Sequence, residues 1–150
     1  MDAEKALFAA IYAAFQADTG AGGLNASGSQ KLVDMVRMGT SKRTIAWPHV
    51  TVEMRLDETS PFGSNKIPLN VGTVIFHIWS NRDTGMEIQD AVKFRMRAVY
   101  NRVQLATQTE GGNSWYFAPM ELLSGEQQIP SNKDNHYVMP FSITMSGILA

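Results

Sequence analysis

The sequence predicts an α+β fold, in which an antiparallel sheet of about four strands carries two main helices on one face. Two segments have apolar residues at helical spacing, and four others are strand candidates with β-branched and aromatic residues. The predicted order is helix, two strands joined by a long loop, helix, and two strands, which is typical of α+β domains. With 150 residues, we expect a single domain over residues 1–150 with its own core.

The first helix is predicted from about Asp2 to Ala17, and the glycine-rich segment 20–23 ends it. A short additional helix is predicted from Lys31 to Met38. The first helix has one apolar stripe that must dock on the rest of the chain, formed by Leu7, Phe8, Ile11, Tyr12 and Phe15.

The second main helix is predicted from about Gly85 to Val103, opened by a capping box of Thr84 and Glu87. Phe94 lies off its apolar stripe. An exposed Phe94 would be a contact site, whereas a broad core face would bury it, and the sequence leaves both open. The stripe itself is formed by Ile88, Val92, Met96, Val99 and Val103.

The strand at Leu69–Trp79 is apolar on both faces, because Ile75, His77 and Trp79 alternate with Val74, Phe76 and Ile78. Such a strand is central in its sheet and covered on both sides. If helices cover one side, a second layer or a neighbouring subunit must cover the other. The remaining strands are predicted at His49–Leu56, Trp115–Leu123 and His136–Met145.

Three connections are predicted without regular structure. The segment Asp57–Pro68 is rich in turn residues and too long for a tight hairpin, which predicts a long protruding β-loop. Gln104–Ser114 is predicted as a polar loop, and Ser124–Asn135 as a second turn-rich excursion.

The composition limits the function classes. Charged residues are 18% of the chain, against about 25% in average soluble proteins, and the chain has nine Met and three Trp. Either part of the surface is buried against neighbours, or the surface is polar and uncharged. The net charge of −1 gives no global attraction to nucleic acid, and the absence of cysteine excludes disulfides and thiolate chemistry. The N-terminus has no pattern of a secretion signal, and the longest strongly apolar run, at 74–79, is too short to span a membrane.

Catalytic motifs are absent from the sequence. His49, His77 and His136 could converge across a sheet on a metal, but ordinary half-buried strand histidines are the favoured interpretation. The segment 20–23 follows a helix and does not fit a phosphate-binding loop. We therefore expect no enzymatic activity, cofactor or metal.

Eight of the basic residues fall into two groups, and two interpretations of the helical group compete. Cations near a helix C-terminus complement its dipole and form salt bridges; alternatively, repeated around a ring, they line a channel and bind DNA phosphates without reading sequence. The candidates for a channel-facing role are Lys42, Arg43, Lys93 and Arg97. The helical group consists of Lys93, Arg95, Arg97 and Arg102, and the other group consists of Lys31, Arg37, Lys42 and Arg43.

The element order and four local motifs resemble the tail terminator and tail-completion proteins of long-tailed, lambda-type phages. These motifs are a Trp-Pro-led strand, a strand ending in an aliphatic-Trp-Ser sequence, a helix opening, and a closing strand. In this chain they are 47–52, 74–80, Asp83-Thr84-Gly85 and 137–144. The glycine-rich loop after the first helix and the prolines in the closing strands depart from the family pattern.

The resemblance implies a structural virion protein. Its members form a homo-hexameric ring at the head-proximal end of the tail, where the ring ends tube polymerisation and joins the tail to the head. The implied partners are further copies of the chain, the tail-tube protein, a head–tail connector or stopper protein, and DNA in the channel, with no membrane. The implied location is the neck of a virion that is made in the host cytoplasm. Candidate contacts between subunits or rings are Pro61, Phe62, Trp79, Phe94, Gln127 and Ile129.

Two other functions remain open from the sequence. The chain could be another neck, tail-tube or head-completion protein, because such subunits share related sheets. A small ligand-binding α+β domain or enzyme is the third possibility, and it would need a pocket with convergent polar groups.

Overall fold

The computed structural model describes residues 2–26, 32–39, 48–59, 69–81, 86–110, 112–130 and 133–148. In these residues the chain forms two α-helices, α1 (Asp2–Gln16) and α2 (Met86–Val103), and one eight-stranded sheet. The strands are β1 (Asp34–Arg37), β2 (His49–Thr59), β3 (Leu69–Asn81), β4 (Thr107–Glu110), β5 (Asn113–Phe117), β6 (Glu121–Leu122), β7 (Gln127–Ile129) and β8 (Asp134–Ile148).

The two longest strands, β3 and β8, lie side by side in the middle of the sheet. The strand order is β1-β2-β3-β8-β5-β4, and all pairs are antiparallel except β1 with β2, which is parallel. Along its other edge β8 pairs in turn with β7, β6 and β5. Gly72 of β3 fixes a close approach to β2, because a Cβ there would lie 1.9 Å from the carbonyl oxygen of Arg55.

Both helices pack on the same face of this sheet, which we call the helical face. The hydrophobic side chains there are fully buried, and each contributes about 1.5–3 kcal/mol before the loss of conformational entropy is counted. The sheet supplies Val50, Val52, Val74, Phe76, Ile78, Met139, Phe141, Ile143 and Met145, and the helices supply Leu7, Ile11, Phe15, Val92, Met96 and Val99.

An ion pair joins the two helices at the edge of this core. Asp18, just after α1, is only 4% exposed and accepts hydrogen bonds from Nε and Nη2 of Arg95 on α2. The backbone amide of Leu24 donates to the same carboxylate at 2.9 Å. The carboxylate therefore holds together the end of α1, the loop that follows it and α2.

The α+β prediction with two helices on one face is confirmed, and so are the positions of the two main helices. The prediction of about four strands is wrong, because the sheet contains eight. The strand predicted at Trp115–Leu123 is divided into β5 and the two-residue β6, and the additional strands, β1, β4 and β7, have three or four residues each. Strands this short show too few alternating positions to be recognised by periodicity.

The short helix predicted at Lys31–Met38 is also wrong. Residues 34–37 form β1, whose parallel pairing with β2 places Met35 in the core and extends the sheet. The loop predicted at Gln104–Ser114 contains β4 and the start of β5, which pair as a hairpin. The excursion Ser124–Asn135 contains β7 and the start of β8.

Several predicted features fall outside the described residues. These are most of the β-loop, at residues 60–68, and Thr84 of the capping box. No helix in the described ranges is long and apolar enough to cross a membrane.

Candidate functional site

The face of the sheet opposite the helices, which we call the outer face, carries a row of ring side chains. Strand register aligns His49 of β2, Trp79 of β3, His136 of β8 and Ile129 of β7 across four neighbouring strands. Side chains in register on one face are neighbours in an antiparallel sheet. The next row on the same face consists of Thr51, His77, Val138 and Gln127.

The rings of these two rows are in direct contact. The indole of Trp79 stacks on the imidazole of His136, with centroids 3.6 Å apart and planes inclined by 12°. His49 stacks on the other side of the same indole at 6.2 Å. The indole nitrogen of Trp79 donates a hydrogen bond to Oγ1 of Thr51 at 3.1 Å, which fixes the ring plane.

A chain of hydrogen bonds runs through the same cluster. His77 Nε2 lies 3.0 Å from Oε2 of Glu53, and His77 Nδ1 lies 2.9 Å from Nε2 of His136. The other carboxylate oxygen of Glu53 accepts from Nε and Nη2 of Arg55, at 3.2 and 2.9 Å. Glu53, His77 and His136 therefore tie β2, β3 and β8 together through their side chains.

The direction of the hydrogen bond between the two rings depends on which of their nitrogens carry hydrogens. With Glu53 ionised, His77 Nε2 must carry a hydrogen to donate to it. If His77 is neutral, His136 donates from Nε2 to Nδ1 of His77; if His77 is protonated, the direction reverses and Nε2 of His136 accepts. When both rings are protonated, both facing nitrogens carry hydrogens and the bond between them is lost.

The pKa shifts agree with this geometry. The hydrogen bond from His77 is the largest influence that lowers the pKa of Glu53; burial opposes it and Arg55 adds to it. Burial and then the charge of His77 lower the pKa of His136 below its usual 6.5, against a smaller opposing effect of Asp134. The folded protein therefore favours ionised Glu53 and neutral His136.

We expect mild acid to lower the free energy of unfolding through protonation of His136. Because the pKa of His136 is depressed on folding, its contribution is present above 6.5 and is lost as the pH falls through the folded value. The free energy of unfolding, measured with urea at about pH 7.5 and about pH 5.5 on either side of the ordinary histidine pKa, should fall in the unmodified protein.

His136→Gln is the matched control, because glutamine keeps a polar side chain but does not titrate. The decrease should be clearly smaller in this variant. An equal decrease in both proteins would show that the acid sensitivity arises elsewhere in the chain.

The cluster does not assemble a metal site. Among the residues that the structure describes, no group of three or more His, Asp or Glu side chains is placed to hold a metal ion. The two nitrogens that face each other, on His77 and His136, are hydrogen-bonded at 2.9 Å. His49 lies across Trp79 from them, with its ring stacked on the indole. The arrangement suits a rigid, partly apolar contact surface.

Three of the six predicted contact residues lie together on the outer face. Trp79, Gln127 and Ile129 occupy the two neighbouring rows. Phe94 lies on α2, on the other side of the sheet, and is 72% exposed, so the alternative that a broad core face buries it is wrong. Pro61 and Phe62 lie outside the described residues.

The basic residues of α2 are placed in different ways. Lys93 forms an ion pair with Asp90 at 3.1 Å, and its ammonium lies 4.2 Å from the ring centroid of Tyr137. Arg95 pairs with Asp18, and Arg97 is exposed. The salt-bridge interpretation thus describes Lys93 and Arg95, whereas Lys42 and Arg43 lie outside the described ranges.

Sequence reasoning missed Glu53, and it considered the convergence of the three histidines only as a disfavoured metal site. The alternation of residues in the sequence places Glu53 on the polar face of β2 and His77 on a face of β3 that mixes polar and apolar side chains. The register that brings the three strands together was not visible in the sequence, because it depends on pairing between residues 24 and 59 positions apart.

The fold of the whole chain is found in solved structures. It is similar to a chain in the virion of a native gene transfer agent (GTA) particle, with 14% sequence identity and a TM-score of 0.59 over 96% of this chain and 97% of that chain. A second solved chain has 13% identity and a TM-score of 0.56 over 95% of this chain and 96% of that one. No family model matches the sequence. No curated protein sequence matches it either.

Proposed function

We propose that this chain is a structural virion protein that forms a ring in the neck of a phage-like particle, as a tail terminator or tail-completion subunit. The observation that carries the proposal is the likeness of this chain to a chain of the GTA virion, which covers 96% of this chain and 97% of that one. The sequence resemblance to tail terminators is a separate argument for the same assignment, because it rests on local motifs such as Ile78-Trp79-Ser80.

The outer face supports self-assembly as the mode of action. Helices of the described chain cover only the helical face, while the outer face presents Trp79, Ile129 and Val138 among histidines. Half-exposed aromatic and aliphatic side chains on a rigid sheet are typical of subunit contacts. In a closed ring, each subunit buries one such surface against a different surface of its neighbour.

The proposed ring is a homo-hexamer at the head-proximal end of the tail. One side of the ring would stop addition of tail-tube protein, and the other would bind the head–tail connector or stopper protein. Its role is mechanical and involves no catalysis, cofactor or membrane. DNA would pass through the channel, where cations repeated around the ring would contact phosphates without reading sequence.

Electron microscopy of the purified protein, alone and mixed with tail tubes, tests the proposal. We expect closed rings with six-fold symmetry, or monomers that become rings at one end of each tube. Long tubes formed by the protein alone would instead identify it as a tube subunit. Monomers that leave the tube ends bare would contradict both structural assignments.

Ile129→Lys should prevent ring formation without unfolding the chain. Ile129 is half-buried at the end of the short strand β7, and it lies in register with His136 and Trp79 on the outer face. A lysine there would place an unpaired charge in the subunit contact, where burial is costly. The measurement is the fraction of closed rings in electron micrographs of the protein, alone and mixed with tail tubes.

Leu105→Lys is the matched control for this substitution. Leu105 is 60% exposed beyond the end of α2 and carries the same change from an aliphatic to a cationic side chain. Rings should persist in this variant. Rings that persist equally in Ile129→Lys would remove the outer face from the subunit contact.

A further inference from the structure

The exposed side of α2 has a pattern centred on Phe94. Phe94 is 72% exposed, more than any other large hydrophobic residue among those described. It points away from the core, and neither α1 nor the sheet covers it. The opposite side of α2 is buried and consists of Gln89, Val92, Met96, Val99 and Val103.

The residues that flank Phe94 differ on its two sides. At 100° per residue, Ala91 and Ala98 lie on one side of the line through Phe94, and Asp90 and Arg97 lie on the other. Both acidic residues of this surface, Glu87 and Asp90, precede Phe94, and the cation Arg97, unpaired among the described residues, follows it. Asp90, Ala91 and Arg97 are exposed, and Ala98 is half-exposed.

We propose that this side of α2 docks against the same side of α2 in a second copy of the chain, with the helices antiparallel and a two-fold axis passing beside Phe94. Such an axis lies between the helices and perpendicular to both. Rotation about this axis leaves the charged flanks of both helices on one side of the contact and the alanine flanks on the other. It also reverses the N-to-C direction of the helix.

The consequence is a contact in which unlike groups meet. Asp90 lies about 6 Å before Phe94 along the axis, and Arg97 lies about 4.5 Å after it, at 1.5 Å per residue. After the two-fold rotation, Asp90 faces Arg97 of the partner subunit, and Arg97 faces the partner's Asp90. On the other flank, Ala91 faces the partner's Ala98, and these small side chains let the helices approach until the two Phe94 rings touch.

The charges on the exposed side of α2 favour this orientation. Asp90 is bound by Lys93 on one side only, and its side chain is 64% exposed, so it can accept a second cation. Arg97 forms no ion pair with any residue that the structure describes. A parallel two-fold arrangement would instead place Asp90 beside the partner's Ala91 and Arg97 beside the partner's Ala98, with no ion pair across the contact.

A single pair of helices buries less than the roughly 1,200 Å² of a stable protein complex. The two-fold dimer is therefore weak and depends on protein concentration. It does not depend on the proposed ring, because α2 lies on the helical side of the sheet and the proposed ring contact lies on the outer face. The two contacts can form together and would then join two rings back to back.

Cysteine crosslinking tests the two-fold axis directly, since the chain has no cysteine of its own. Phe94→Cys should form a disulfide-linked dimer under mild oxidation, because the axis brings position 94 next to its own copy within the distance that a disulfide requires. Thr19→Cys is the control, since Thr19 is exposed in the loop after α1. Crosslinking of Phe94→Cys no faster than that of Thr19→Cys would overturn the proposal.

Charge exchange tests the orientation. Arg97→Glu should weaken dimerisation of the full chain about tenfold, because it places like charges together at two symmetry-related positions. The double variant Asp90→Arg with Arg97→Glu should restore it, with dissociation constants measured by sedimentation equilibrium. Failure of the double variant to recover more than the single variant would contradict the antiparallel pairing.

The crosslinking experiment tests the two-fold contact independently of the proposed ring. Crosslinking at position 94 without rings, either of the protein alone or at the ends of tail tubes, would support the two-fold contact and contradict the ring. Six-subunit particles without crosslinking at position 94 would contradict the two-fold contact alone.

Discussion

Replacing Arg95 by methionine is expected to lower the free energy of unfolding by about 3 kcal/mol at neutral pH. Methionine keeps the apolar stem of the side chain, so the decrease in the free energy of unfolding measures the contribution of the guanidinium group. Without it, the carboxylate of Asp18 stays almost fully buried with the Leu24 amide as its remaining donor among the described residues. Urea unfolding followed by circular dichroism measures the change.

The pH dependence of this loss identifies its cause. Burial raises the pKa of Asp18, but the hydrogen bonds from Arg95 and Leu24 and the charges of Arg95 and Arg102 together lower it below 3.8. Its stabilising contribution is therefore present above 3.8 and is lost as the pH falls through the folded value. In Arg95→Met, burial should raise this pKa instead, so the deficit should be largest at neutral pH and shrink in acid.

Combining Arg95→Met with Asp18→Asn provides the control. The double variant has no buried charge, and it should recover part of the stability that the single variant loses. A deficit that is the same at all pH values, and unchanged in the double variant, would show that Arg95 acts through packing of its stem.

The main elements of this fold could be predicted because their patterns are long. α1, α2, β2, β3 and β8 each contain eleven or more residues, and each shows several repeats of its helical or strand period. The short strands could not be predicted in this way. β1 exists because its backbone pairs with β2 and Met35 fills the core, and this tertiary pairing overrides local propensity.

The sequence also showed that β3 is apolar on both faces, but not what meets its second face. Trp79 and His77 were visible as outer-face residues of one strand. Their partners, His136 and Glu53, come from β8 and β2, and only strand register joins them. The sequence likewise could not decide whether Phe94 is exposed, because the width of the buried face of α2 depends on where α1 packs.

Phe141→Ala is expected to lower the free energy of unfolding by about 3–5 kcal/mol. Phe141 is fully buried in β8, makes an edge contact with Phe76 at 5.6 Å, and lies 4.5 Å from the ring of Tyr100 on α2. Alanine would leave a cavity between the sheet and α2 and remove both ring contacts. Urea unfolding of the variant measures the loss.

Phe141→Leu is the matched control and should cost less than about 1.5 kcal/mol, because it nearly conserves volume. Since neighbouring residues of β8 face opposite ways, the cavity should also loosen the outer face, where Pro140 pairs with Ile75 and Val138 with His77. Hydrogen exchange at the amides of β8 should therefore accelerate in Phe141→Ala along the whole strand. Faster exchange limited to the immediate neighbours of Phe141 would mean that the two faces of the sheet are not mechanically coupled. A ring contact on the outer face would then be insensitive to packing on the helical face.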